Sequence, residues 1–96
     1  MTSPQAALIV GAGDATGGAI ARRFAREGYI ACVTRRSADK LERLVQGIRD
    51  AGGQAHGFAS DARDEAAVTA LVAQIERDIA PIEVVVFNIG ANVRFN

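Results

Sequence analysis

The sequence predicts an α/β fold built on a parallel sheet, with elements in the order β-α-β-α-β-α-β and helices on both faces of the sheet. Short apolar runs, typical of buried strands, alternate along the 96 residues with segments whose apolar residues recur at helical spacing. A glycine or a proline follows each predicted helix. This alternation indicates parallel strands joined by crossover helices.

Four apolar runs predict the strands. The first run stops at a glycine, and the fourth, "EVVVF", is the clearest strand in the chain. The third run is less apolar than the others and contains the single histidine, His56. Strands that are buried on both faces have such continuous apolar runs. The predicted strands cover residues 6–10, 30–34, 54–59 and 83–87.

Three helices are predicted between these strands. The first covers residues 19–27 and ends at Gly28, which can adopt the backbone conformation that closes a helix. Ser37 can cap the second helix, and Asp64 can cap the third, which Pro81 stops. The apolar stripes of the last two helices consist of Leu41, Leu44, Val45 and Ile48, and of Val68, Leu71, Val72, Ile75 and Ile79.

The connections predict the strand order 3-2-1-4. Right-handed crossovers place the first two helices on one face of the sheet and the third helix on the other. The crevice between strands one and four is then the place where the strand order reverses, and folds of this type bind ligands there. Two segments open onto this crevice, the glycine-rich loop after the first strand and the segment after the fourth.

The loop "GAGDATG", residues 11–17, is a candidate phosphate-binding loop. Backbone N–H groups at the start of a helix attract anions, and glycines allow a pyrophosphate to approach closely. The carboxylate of Asp14 would repel a pyrophosphate, so we expect it to turn away and cap the helix at its first turn. The alternative is a loop that has lost nucleotide binding. The candidate residues are Gly11, Gly13, Asp14, Ala15, Thr16 and Gly17.

From Ala6 to Asn92 the chain resembles the short-chain dehydrogenase/reductase family. The family pattern G-x-x-x-G-x-G falls on Gly11, Ala15 and Gly17, so an alanine replaces the middle glycine. The enoyl-reductase branch uses G-x-x-x-x-x-S-x-A, and in that alignment Gly11 and Ala19 match while Gly17 stands at the serine. The loop lies between the two patterns, and the branch stays open. The resemblance implies a Rossmann-type dinucleotide-binding fold.

The end of the second strand predicts which dinucleotide is bound. An acidic residue in this place binds the free ribose of NAD, but the sequence here is "TRRS", without a carboxylate. In family terms Arg35 takes the position of the NAD-specific aspartate, and Arg36 matches the basic residue of NADP enzymes. These two guanidinium groups, with Ser37 as a further donor, can bind a 2′-phosphate. We therefore predict NADP(H) in preference to NAD(H); two ordinary surface arginines are the alternative.

Two later segments also resemble family elements. Asp61 and Ala62 match the pair after the third strand, where the aspartate accepts a hydrogen bond from the adenine amino group; an ordinary loop aspartate is the alternative. In "FNIG", Asn88 and Gly90 match the family's N-N-A-G element, which braces the sheet and approaches the adenine ribose. Phe87 and Ile89 depart from that element, and we expect both to be buried.

The residues that carry the family's chemistry are absent from the chain. Family members use a tyrosine with a lysine four residues later, but the single tyrosine, Tyr29, and the single lysine, Lys40, are eleven residues apart. We therefore predict no catalytic residue here and interpret residues 1–96 as the truncated N-terminal part of one dinucleotide-binding domain. The parent would be an NADP(H)-dependent oxidoreductase that transfers hydride to or from a carbonyl, alcohol or activated C=C substrate. A non-catalytic dinucleotide-binding or interaction module is the alternative.

The net charge, the single cysteine and the open edge of the sheet predict the partners, the location and the assembly of the protein. Eleven basic and eleven acidic residues cancel, which argues against nucleic acid and membrane surfaces as partners. No secretory signal is visible, and Cys32 lies alone in an apolar run, so we expect a cytoplasmic protein without a metal site. His56 and the charged residues of the first helix are assigned no site role. The fourth strand is left as an apolar edge, which predicts a marginally stable chain, a homo-oligomer, or completion by a partner segment.

Overall fold

A computed structural model describes residues 4–11, 15–35, 38–61 and 63–88, and these contain four strands and three helices in the predicted order. Every predicted strand and helix is present among them. The second strand is one residue longer than predicted, and the fourth begins one residue earlier. The elements are β1 (Ala6–Val10), α1 (Ala15–Arg26), β2 (Ile30–Arg35), α2 (Ala38–Asp50), β3 (Gln54–Ala59), α3 (Glu65–Asp78) and β4 (Ile82–Phe87).

Helix α1 begins four residues before its predicted start, and this prediction was wrong. The early start includes Gly17 and Gly18, although each glycine costs a helix about 1 kcal/mol relative to alanine. Both glycines are buried, and a Cβ atom on Gly18 would lie 3.6 Å from the side chain of Leu44 in α2. Packing of α1 against its neighbours therefore outweighs the poor helix propensity of its first turn.

The strands form one parallel sheet in the order β3-β2-β1-β4, which confirms the predicted topology. Strand β1 lies between β2 and β4, and Val10 at its end pairs with Thr34 on one side and Phe87 on the other. The carboxyl ends of β1, β2 and β4 consequently lie side by side. This is the edge of the sheet at which the glycine loop begins.

The core has two parts, one on each face of the sheet. On one face, alternate strand residues such as Ile9 and Val33 pack against α1 and against the predicted stripe of α2. On the other face, Leu8 and Cys32 pack against Leu71 and Ile75 of α3. The helices thus divide between the faces as the right-handed crossovers predict. None of the helices among the described residues is long and apolar enough to cross a membrane.

The ends of the helices follow the predicted signals where the structure describes them. The carboxylate of Asp64 accepts a hydrogen bond from the N–H of Ala67 at 3.2 Å, so Asp64 caps α3 as predicted. Gly28 has a φ of +99°, the left-handed conformation that commonly closes a helix and that favours glycine. The predicted cap of α2, Ser37, lies outside the described residues.

Strand β4 is an edge strand, and one of its faces is only partly covered. Val85 and Phe87 point to the face that carries α3, yet they are 44% and 58% exposed. The prediction that Phe87 is buried was therefore wrong. The physical reason is that the buried cluster formed by Leu71 and Ile75 of α3 is joined by Ile82 at the start of β4 but not by Phe87 at its end. Ile89 lies outside the described residues.

Candidate functional site

Gly11 is the point at which three strands are tied together. Its N–H donates to the carbonyl oxygen of Thr34 at 3.1 Å and is also 3.3 Å from the Thr34 hydroxyl. Gly11 has a φ of +84°, a conformation that side chains rarely adopt, so a glycine is needed where the chain leaves β1. Since Thr34 ends the buried part of β2, these bonds fix the start of the loop against that strand.

Asn88 fixes the same point from the side of β4. Its N–H donates to the carbonyl oxygen of Val10 at 2.8 Å, and its side-chain amide donates to the carbonyl oxygen of Gly11 at 3.3 Å. The bracing role that the family resemblance implies for this asparagine therefore corresponds to two observed hydrogen bonds. Together with Thr34, Asn88 holds the loop entrance at the crevice between β1 and β4.

The N-terminus of α1 follows directly after this loop. The helix begins at Ala15, and its first turn contains no acidic residue. The first N–H groups of a helix have no partner within the helix, and with the helix dipole they favour an anion. Gly17 lies buried in this first turn, so a side chain there would have to fit against the atoms that surround it. The arrangement can hold a phosphate group through backbone donors.

The ends of β2 and β3 are joined beside this loop. The N–H of Ser60 donates to the carbonyl oxygen of Arg35 at 3.0 Å, which brings Arg35 and Asp61 to the same edge of the sheet. The hydroxyl oxygen of Ser60 is buried, and no residue in the described part of the chain is its hydrogen-bond partner. Buried polar groups nearly always have one. Among the described residues the Ser60 hydroxyl is an exception to this rule, and because it is buried it is not exposed to a bound molecule.

Asp61 is held by its neighbour Arg63. The backbone N–H of Arg63 donates to the Oδ1 atom of Asp61 at 2.9 Å, and the guanidinium group of Arg63 contacts both carboxylate oxygens. The two side chains are 70% and 39% exposed, so Asp61 faces solvent at the edge of the sheet rather than the core. Nothing in the sequence pattern singles out Arg63.

The structure thus brings five predicted site residues, Gly11, Gly17, Arg35, Asp61 and Asn88, to the carboxyl edge of the sheet or to the first turn of α1. For Ala15 and Thr16 only the helical backbone is described. Six further candidates lie outside the described residues: Gly13, Asp14, Arg36, Ser37, Ala62 and Gly90. One structural member of the site, Thr34, was missed, because its hydrogen bonds to Gly11 join two strands and leave no signal in the sequence.

Three further titratable residues, Tyr29, Cys32 and Lys40, lie away from this edge. Tyr29 stands at the opposite end of β2, where its hydroxyl donates to Glu83 at 2.9 Å; this hydrogen bond to a carboxylate raises the pKa of Tyr29. Lys40 is exposed on α2, and the chain contains no Tyr-x-x-x-Lys sequence. Burial raises the pKa of the Cys32 thiol to about 11, which keeps it protonated and unreactive at neutral pH.

Comparisons with known proteins agree with this architecture. The sequence profile of the short chain dehydrogenase family matches residues 5–96. The chain is 36% identical over 80 residues to 2,3-dihydro-2,3-dihydroxybenzoate dehydrogenase of Bacillus subtilis, covering 83% of this chain and 31% of that protein. A short-chain dehydrogenase structure from Rhodopseudomonas palustris superposes with a TM-score of 0.84 and 43% identity, covering 98% of this chain and 44% of that one.

A third similar structure was solved with a nucleotide. It is a metagenomic short-chain oxidoreductase in complex with NADP, with a TM-score of 0.79 and 30% identity, and the match covers 84% of this chain and 37% of that one. The parallel sheet in the order 3-2-1-4, with a glycine loop at its switch point, defines a Rossmann-type dinucleotide-binding fold. The chain belongs to the short-chain dehydrogenase family. The matches cover 31% to 44% of the length of these three relatives.

Proposed function

We propose that this chain is the NADP(H)-binding part of a short-chain oxidoreductase. The parent protein would transfer hydride between the nicotinamide and a carbonyl, alcohol or activated C=C substrate. The observation that carries the proposal is the tie at Gly11, which Thr34 and Asn88 hold from β2 and β4. This tie fixes the start of the loop at the switch point of the sheet, where folds of this type bind nucleotides.

Gly17, Asp61 and Asn88 each have a defined role in this proposal. The backbone donors of the first turn of α1 bind the pyrophosphate, and Gly17 in that turn has no side chain that would come between them and the phosphate. Asp61 accepts a hydrogen bond from the adenine amino group, and Asn88 keeps the loop entrance in place. NADP(H), when bound, supplies or accepts the hydride. The protein residues bind and orient the dinucleotide.

The preference for NADP(H) over NAD(H) rests on charge at the end of β2. Arg35 is the last residue of that strand, and Arg36 and Ser37 follow it in the sequence. Two guanidinium groups bind a 2′-phosphate through charge-assisted hydrogen bonds, whereas a 2′-hydroxyl group needs an acidic partner that this place lacks. The NADP complex of the metagenomic relative supports the same choice.

We further propose that residues 1–96 need the remainder of a longer protein for turnover. The relatives are longer than this chain, and the chain lacks the tyrosine–lysine pair that the family uses for proton transfer. The exposed Val85 and Phe87 on β4 fit the same interpretation, because an apolar edge of a parallel sheet is normally covered. The parent is proposed to be a cytoplasmic homo-oligomer. The missing pair also supports the second candidate, a dinucleotide-binding module without catalysis.

The test of nucleotide binding is a substitution at Gly17. A valine there would fill the space in front of the first turn of α1, so Gly17→Val is expected to abolish NADPH binding, and the smaller Gly17→Ala is expected to weaken it. Gly47→Val is the control for the effect of a valine on a helix: Gly47 is exposed within α2, and a Cβ atom there would lie 3.9 Å from the tip of Arg22. Unchanged NADPH affinity in folded Gly17→Val would remove the proposal.

A further inference from the structure

The carboxylate of Asp61 receives three hydrogen bonds from one residue, Arg63. The backbone N–H of Arg63 donates to Oδ1 at 2.9 Å, its Nε donates to Oδ1 at 3.3 Å, and its Nη2 donates to Oδ2 at 3.4 Å. Contacts to both carboxylate oxygens fix the plane of the group as well as its position. The backbone is held too, because the N–H of Asp64 donates to the carbonyl oxygen of Asp61 at 3.0 Å.

This fixation contributes little to the stability of the fold. The Arg63 and Asp61 side chains are 70% and 39% exposed, and exposed ion pairs contribute about 1 kcal/mol or less. A second arginine–aspartate pair, Arg77 with Asp78, has similar exposure at the other end of α3. The Arg63–Asp61 pair differs from it in its place, since Asp61 directly follows Ser60, whose N–H is bonded to Arg35 at the carboxyl edge of the sheet. The oriented carboxylate therefore lies at the candidate site, whereas the Arg77–Asp78 pair does not.

We propose that Arg63 is a positioning residue that orients the Asp61 carboxylate toward the base of the dinucleotide and so selects adenine over hypoxanthine. This inference rests on the proposed function. Adenine presents an amino group at C6, which donates to a carboxylate, whereas hypoxanthine presents a carbonyl oxygen there, which a carboxylate repels. A carboxylate that is held in one orientation loses less freedom on binding and turns away from the wrong base less readily. Selection therefore depends on the contacts that Arg63 makes.

The experiment compares two dinucleotides and three forms of the 96-residue chain. The ligands are NADPH and reduced nicotinamide hypoxanthine dinucleotide phosphate, and the forms are wild type, Arg63→Gln and the matched control Arg77→Gln. Dissociation constants are measured by fluorescence titration, and circular dichroism verifies that each form is folded. The wild type is expected to bind the adenine ligand about tenfold more tightly, as one hydrogen bond to a charged group provides.

The quantity compared is the dissociation constant of the hypoxanthine ligand divided by that of NADPH. This ratio is expected to fall at least about threefold in Arg63→Gln, because the Asp61 carboxylate is no longer held by the guanidinium group, and to be unchanged in Arg77→Gln. An equal loss of affinity for both ligands would mean that Arg63 only contacts or supports the site, and it would overturn the inference. A wild type without preference between the bases would overturn it as well. If the wild type binds neither ligand, the proposed function fails and the inference fails with it.

Discussion

Replacing the exposed apolar residues of β4 is expected to reduce self-association of the chain at a moderate cost to the stability of its monomer. The perturbation is the double variant Val85→Thr, Phe87→Ser. Phe87 is 58% exposed, so of the roughly 200 Å² that a phenylalanine can bury about 115 Å² meets solvent. At about 25 cal/mol per Å², covering this area contributes about 3 kcal/mol, which corresponds to an association constant changed on the order of a hundredfold.

The assay is sedimentation velocity over a concentration series. The wild type is expected to associate with rising concentration, and the double variant is expected to stay monomeric over the same range. Because about 85 Å² of the Phe87 side chain is buried in the single chain, its free energy of unfolding should fall by about 2 kcal/mol in the double variant. Ala70→Ser, at an exposed position on α3, is the control and should associate as the wild type does.

Two results would refute this reasoning. The first is a wild-type chain that is monomeric at all concentrations and unfolds in a sharp, reversible transition. The exposed apolar face of β4 would then neither cause association nor lower the stability of the chain. The second is a double variant that associates as strongly as the wild type, because the contact surface would then lie elsewhere.

Three further substitutions test the preference for the 2′-phosphate, the packing of α3 and the pH dependence of stability. Arg35→Gln is expected to weaken NADPH binding about tenfold, as the loss of a charge-assisted hydrogen bond does, with little effect on NADH; equal losses in a fluorescence titration would contradict a contact to the 2′-phosphate. Ile75→Ala removes a fully buried side chain of α3, and urea unfolding should show a loss of about 2–5 kcal/mol. An Ile75→Ala chain as stable as the wild type would mean that α3 does not pack on the sheet. Burial, with the nearby charge of Arg49, lowers the pKa of His56, so the unfolded chain binds more protons and stability should fall as the pH drops below about 6.5. His56→Gln should remove that part of the pH dependence, and an unchanged profile would assign it to other groups.

The fold could be predicted because its signals are local and repeated. Apolar runs, helical stripes and the glycine or proline after each helix indicate the elements. Once strand four is placed beside strand one, the handedness of the crossovers determines which face of the sheet each helix covers. The start of α1 could not be predicted in this way. Gly17 and Gly18 have low helix propensity, and only their packing against the rest of the fold makes them helical.

Exposure and contacts were harder to predict than topology. The run "EVVVF" indicates a strand, but it does not reveal that α3 leaves Phe87 uncovered. Gly11, Asp61 and Asn88 could be selected because they match family motifs, whereas the partners that hold them could not. Thr34 and Arg63 act through hydrogen bonds that depend on the three-dimensional course of the chain. These bonds join strand ends or span a turn, where sequence periodicity carries no signal.

The most direct test of the central claim is a titration of the folded chain with NADPH and with NADH under identical conditions. The proposed phosphate loop and the arginines after β2 predict that NADPH binds and that its dissociation constant is at least about tenfold lower than that of NADH. Equal affinity for the two dinucleotides would contradict the assignment of Arg35 and Arg36 to the 2′-phosphate. Failure to bind either one would contradict the dinucleotide site itself.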